Sequence, residues 1–252
     1  MKIDVIVPSN NIKELNGFIS SFDTLSEFKK HANLIIIGNG EVYYNEIEGG
    51  HSVNYDCIRD DNDYSNSIVP FVKLNGLGMV SSNCDFFLQL DDDHRFPEGS
   101  DDFLLKCIKV LENNNCSVLC TDRERNGNKG LFHKRDGYIW SNRGLFIKNV
   151  LSKKEIEKHY NLLGAGVDLF FSYLVLEKTG FPYELFGSPI TRKEKRYINN
   201  KKIYDVSYDD KTLYENILGF IINRYNDKKW KHQPNNNYPI KLQHIMYERM
   251  CE

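Results

Sequence analysis

The sequence has almost no net charge, no cluster of cysteines and no long apolar run, and each absence removes a class of protein. Lys+Arg number 33 against Asp+Glu 35, a formal net charge of -2 over 252 residues. That balance gives no global basic field, so nucleic acid is not an expected partner. The six cysteines (Cys57, Cys84, Cys107, Cys116, Cys120 and Cys251) are scattered. Only Cys116 and Cys120 lie close, and one pair does not make a structural zinc site. They read as reduced thiols of a cytosolic protein. No apolar stretch approaches the ~20 residues of a membrane-spanning helix. The opening, MKIDVIVPS, is strand-like and lacks the basic and long apolar regions of a secretion signal. The expected location is cytoplasmic, with peripheral contact at the cytosolic membrane face left open.

What is present suits one large α/β domain. Hydrophobic residues make up 40% and charged residues 27%, ordinary for a globular chain. Ile3 to Val7 is rich in β-branched residues and reads as a buried strand, with Pro8 as its stop. Ile12, Leu15, Ile19, Phe22 and Leu25 recur at helical spacing. Leu34 to Ile37 is a second apolar strand, with Gly38-Asn39-Gly40 as a turn. Strand, helix, strand is the opening of a parallel sheet with covered faces. Further strands are expected at Val53 to Ile58, Phe86 to Leu90 and Ser117 to Thr121, with a strand pair within Tyr138 to Ile147. Helices are expected at Ile68 to Val80, from Ser100 to about Leu111, after Ser152 (a capping box with Glu155), at Val167 to Lys178 and at Leu213 to Tyr225. Glu124 to Gly137 reads as a loop, rich in Gly, Asn and charge. Residues 1–205 would form the main domain, in halves 1–122 and 123–205, and 206–252 a helical extension.

In an open parallel sheet, ligands bind outside the carboxyl ends of the strands. Pro8-Ser9-Asn10, Gly38-Asn39-Gly40 and Asp91-Asp92-Asp93-His94 all fall at such ends. Three adjacent carboxylates repel one another and are costly to bury without a cation. Hard oxygen ligands suit Mg²⁺ or Mn²⁺, which commonly complete their shell with substrate phosphate oxygens. A solvated acidic loop capping the next helix is the plain alternative. The position directly after Phe86-Phe87-Leu88-Gln89-Leu90 favours the metal reading.

An apolar strand followed by Asp-x-Asp resembles the signature of GT-A fold glycosyltransferases, especially the family 2-like group. The resemblance spans roughly residues 1–180. It rests on Ile3 to Ser9, Asn75-Gly76-Leu77, the acidic triplet, Asn142 to Ile147, and Gly166-Val167-Asp168-Leu169. It implies a GT-A-like, mostly parallel α/β sheet with flanking helices. It implies transfer of one sugar from a nucleoside diphosphate donor, UDP in the first instance, to a hydroxyl acceptor on a glycan, lipid or protein. Asp93 and Asp91 would hold Mn²⁺ or Mg²⁺. Asp91 and Asp92 would meet the ribose, and Asp168 would be the general base of an inverting reaction. Pro8, Ser9, Asn10, Asn39, Arg59 and Asp61 would surround the nucleoside, with Asn75 in support.

The chain departs from that pattern at two points. Asn39 stands where an acidic residue often contacts the base, and Val167 where one often precedes the catalytic Asp. The Gln-x-x-Arg-Trp motif of processive members is absent. His94 reads as a structural or supporting residue. The basic stretch from Arg192 to Lys202 would close over a diphosphate, face anionic lipid or remain solvated. Tyr138, Trp140 and Trp230 are sugar-stacking candidates, and His232 and His244 late metal candidates. A sugar nucleotidyltransferase and a non-catalytic carbohydrate- or protein-binding domain stay as alternatives. The first lacks its usual Gly-rich basic loop after Pro8.

Overall fold

The computed structural model describes residues 1–45, 47, 50–61, 70–113, 116–123, 144–160, 170–179 and 183–192. Outside them lie Asp168, the aromatic candidates Tyr138, Trp140 and Trp230, both late histidines, the 124–137 loop, the basic stretch beyond Arg192 and the 206–252 extension.

Nine strands, six α-helices and a 3-10 turn at Phe28–Lys30 are present among the described residues. The strands are β1 (Ile3–Ser9), β2 (Ala32–Gly38), β3 (Tyr55–Arg59), β4 (Phe86–Gln89), β5 (His94–Arg95), β6 (Val118–Arg123), β7 (Leu145–Lys148), β8 (Tyr183–Ser188) and β9 (Thr191–Arg192). The helices are α1 (Ile12–Asp23), α2 (Gly40–Tyr44), α3 (Phe71–Val80), α4 (Ser100–Asn113), α5 (Lys153–Glu157) and α6 (Phe170–Thr179). Seven strands form one sheet in the order β3-β2-β1-β4-β7-β6-β8, and β5 pairs with β9 in a second. Within the large sheet β1–β2, β2–β3, β1–β4 and β6–β8 are parallel, whereas β7 runs antiparallel to both β4 and β6. The result is an α/β fold with a mostly parallel mixed sheet.

The continuous apolar runs follow from burial on both faces. Ile3, Val5 and Val7 of β1 and Leu34 and Ile36 of β2 join Leu15, Phe18, Ile19 and Phe22 of α1 and Phe103, Leu104 and Ile108 of α4 in one core cluster. On the other face α3 lies against β1 so closely that a Cβ at Gly78 would stand 2.8 Å from Ile6 Cγ2. Gly76 does the same for Tyr160, whose Cε1 would be 2.6 Å away. This explains why α3 is apolar on several sides: it is covered by the sheet and by α5 and its following turn.

Pro8 does not end β1. It pairs with Ile37 inside the strand, and Ser9 pairs with Gly38. The Ile6 carbonyl faces β4, where it accepts from Leu90 N–H at 3.1 Å. Two residues on, Pro8 faces the same way, but the paired part of β4 has stopped at Gln89. Its missing N–H therefore leaves no ladder bond unmade. Gly38-Asn39-Gly40 is also more than a turn, because Gly40, at φ 49°, opens the short helix α2. The capping box at α5 forms as expected: Ser152 Oγ accepts from Glu155 N–H, and the Glu155 carboxylate accepts from Ser152 N–H.

Candidate functional site

The chain adds β2 and β3 on one side of β1, then crosses to place β4 on the other. That reversal makes the carboxyl ends of β1 and β4 the switch point of the sheet, the place where open α/β sheets bind their ligands. Ser9 ends β1 and the Asp91–His94 turn leaves β4, so register alone brings them together.

The turn closes on itself. His94 N–H donates to the Asp91 carbonyl at 3.1 Å, and Asp91 N–H donates to His94 Nδ1 at 2.8 Å. Asp91, Asp93 and His94 each offer one donor atom, all within 4.8 Å of one another. Asp93 is 8% and His94 3% exposed. The ring can carry its proton on Nε2, with Nδ1 accepting from Asp91 N–H. It can instead carry it on Nδ1, which lies 3.0 Å from the Asp91 carbonyl, leaving Nε2 as the acceptor. Two carboxylates with an imidazole fit a divalent cation, and the nitrogen favours Mn²⁺ over the oxygen-demanding Mg²⁺. His94 thus stands with the acidic pair in a group that could hold a cation, an arrangement its place beside the triplet had not distinguished from a structural one.

Asp92 turns the other way. Its Oδ2 accepts from Ser9 Oγ at 2.6 Å. Burial pushes its carboxyl up to about 7; the Ser9 bond opposes this, and the charges of Asp91, Asp93 and Glu14 add to it. Burial is the larger cause, and the neighbouring carboxylates add to it. Ser9 Oγ also stands 3.3 Å from both the N–H and the carbonyl of Asn11, the N-cap of α1.

Two unanticipated residues secure the turn. Arg95 Nη1 donates to the carbonyls of Asp92 and His94 at 2.8 and 2.7 Å, and its Nη2 donates to Glu14 Oε2 at 2.9 Å. The remaining candidates sit at neighbouring strand ends. Asn39 follows β2, is 2% exposed, and its Oδ1 is buried with no hydrogen-bond partner among the described residues. Asp60 follows β3, is 4% exposed and pairs with Lys73 Nζ of α3 at 3.0 Å. Asp61 and Asn10 are exposed, and Pro8 is half-buried. Arg59 Nη1 donates to the carbonyls of Val42, Tyr43 and Asn45, closing the C-terminal end of α2. Asn75 Nδ2 donates to the Phe71 carbonyl within α3 at 3.0 Å. Across β5 and β9, His94 pairs with Arg192, so the basic stretch begins beside the acidic turn. Burial pushes the Cys84 thiol up to about 12 and raises Cys107 as well, so neither is a thiolate near neutral pH.

This sheet order, with the acidic turn at its switch point, is a GT-A-like α/β fold. No protein-family model and no curated protein matches the chain. Solved structures do. The chain is similar to residues 1–349 of S. aureus TarS in complex with UDP-GlcNAc, at 12% identity and TM-score 0.56, covering 94% of this chain and 73% of that one. The same TarS segment without that ligand aligns at 15% identity and TM-score 0.56, over 94% and 72%. A mycobacterial protein aligns at 12% identity and TM-score 0.51, over 86% and 75%. At these identities the likeness concerns the fold. No helix among the described residues is long and apolar enough to cross a membrane.

Proposed function

We propose that the protein is a metal-dependent glycosyltransferase that moves one sugar from a nucleoside diphosphate-sugar, UDP-linked in the first instance, to a hydroxyl acceptor. The observation that carries this reading is the meeting, at the switch point, of the end of β1 with a group of side chains that could hold a cation. Ser9 and Asp92 form one half and Asp91, Asp93 and His94 the other. TarS, a neighbour in fold, was solved with UDP-GlcNAc and with UDP.

In this reading Pro8, Ser9, Asn10, Asn39 and Asp61 surround the nucleoside, with Asp91 and Asp92 towards the ribose. Arg59, from the end of β3, and Asn75, from α3, support that site. Asp91 and Asp93, joined by His94, hold Mn²⁺ or Mg²⁺. The bound cation would supply Lewis-acid stabilisation of the departing diphosphate. Asp168 takes the proton from the acceptor hydroxyl as that oxygen attacks the anomeric carbon, so the reaction inverts configuration. The acceptor class is a glycan, lipid-linked or protein-linked hydroxyl, reached from the cytoplasmic side.

The test is thermal unfolding against a panel of nucleoside diphosphates with Mn²⁺, with Mg²⁺ and with chelator. A ligand bound to the native state raises the midpoint by mass action. One nucleotide is expected to stabilise the protein only with metal, and Asp93→Ala to remove the effect. If no nucleotide shifts the midpoint under any metal condition, the reading fails and a binding domain replaces it.

A further inference from the structure

Arg95 is half-buried, follows the acidic turn directly, and spends its guanidinium on backbone. One nitrogen, Nη1, bonds the carbonyls of both Asp92 and His94. Those two carbonyls bracket Asp93. The peptide planes before and after this stretch are thereby fixed, and with them the directions in which Asp93 and His94 leave the chain. Nη2 bonds the side chain of Glu14 at 2.9 Å and its carbonyl at 3.3 Å, so the turn is tied to the first turns of α1.

Gly17 makes the tie possible. A Cβ there would stand 2.4 Å from Arg95 Nη2 and 3.0 Å from Cζ. The guanidinium therefore lies close against the helix, one turn along from Glu14. Glycine in a helix interior costs roughly 1 kcal/mol relative to alanine, and here the fork occupies the space that an alanine methyl group would need. The charge balance has the same logic. Glu14 neutralises Arg95 locally, so Arg95 does not compete for the carboxylate oxygens of Asp91 and Asp93.

We propose that Arg95, seated on Gly17 and oriented by Glu14, is a positioning residue that preorganises Asp93 and His94 for a divalent cation. The inference rests on the metal reading of this site. Planar, two-point hydrogen bonding is what a guanidinium offers and an ammonium does not, and partners behind a metal ligand commonly change affinity 10- to 100-fold.

The experiment is titration of the full chain with Mn²⁺ alone, reading free Mn²⁺ by electron paramagnetic resonance. The wild-type chain is expected to bind, and Arg95→Lys and Gly17→Ala each to weaken binding about tenfold or more. Both should still unfold cooperatively. Alanine favours a helix more than glycine does, so a loss in Gly17→Ala does not follow from lost helix propensity. The double variant should lose no more than Arg95→Lys alone, since both act through one guanidinium. Wild-type affinity in the folded single variants overturns the inference while leaving the metal site standing. No binding by the wild-type chain overturns the metal site and the inference together.

Discussion

Ser9 Oγ donates to Asp92 Oδ2 across 2.6 Å, joining the end of β1 to the turn after β4. The bond links residues 83 positions apart, and it opposes the burial and like charge that push the Asp92 carboxyl up to about 7. Asp92 binds a proton more tightly in the folded than in the unfolded chain, so its contribution runs opposite to that of a paired carboxylate. In metal-free protein it favours folding below the ordinary carboxylate range, and this is lost as pH rises from about 4 to about 7. Asp92→Asn should raise the metal-free unfolding midpoint at pH 8 by a few degrees, at roughly 2–4 °C per kcal/mol. Ser9→Ala should lower it, more at pH 8 than at pH 5. Thermal unfolding in chelator across this range checks both.

Asp23 has the opposite sign. Hydrogen bonds from Lys29 and Ser52 pull its carboxyl down to about 2. The stability it contributes is full above about pH 4 and is lost as pH falls towards 2. Because the ion pair lies near the surface, Asp23→Asn should cost no more than about 1 kcal/mol at pH 7. The variant and the wild type should converge at pH 2, as urea midpoints would show.

Phe22 is 1% exposed and packs edge-on against Phe96 and Phe28, at ring-centroid distances of 5.8 and 6.2 Å. Phe96 follows Arg95, so this cluster also seats the acidic turn on α1. Phe22→Ala should cost about 3–5 kcal/mol by leaving a cavity, measured by urea unfolding.

Gly144 sits at φ 133°, and a Cβ there would lie 3.2 Å from Leu88 Cδ1, Leu90 Cδ2 and Thr121 Oγ1. Its carbonyl accepts from Thr121 N–H and Oγ. Gly144→Ala should destabilise the protein by about 1–3 kcal/mol, from backbone strain and overpacking where β7 enters the sheet. Comparison with Gly50→Ala, at φ 97° with open space around it, would separate strain from crowding.

Much of this was readable from short stretches. Apolar runs and helical spacing located β1, α1, β2 and β4, because hydrophobic period depends on neighbours a few residues apart, and Ser100 with the acidic first turn located α4. The Ser152–Glu155 capping box was equally visible, since both partners belong to one turn. The acidic triplet announced itself by composition and by the strand before it. Pro8 was misjudged because a proline is tolerated within a strand only when the facing neighbour has ended, and no local pattern tells where β4 ends. The short α2 was hidden by the turn-like Gly38-Asn39-Gly40, whose Gly40 takes a positive φ to begin it.

Pairings across the chain needed the folded state. Only the strand order sets β4 beside β1, and so Asp92 beside Ser9. Only the packing of α1 on that edge sets Gly17 beneath Arg95, with Glu14 within reach of the same guanidinium. Arg59 and Lys73, both cationic and near the same strand end, are separated the same way: one closes α2, the other pairs with buried Asp60. Residue types and spacing specify which elements form and which side chains can do chemistry. Which of those side chains meet depends on sheet order and helix seating, and these follow from burying apolar surface over the whole chain at once.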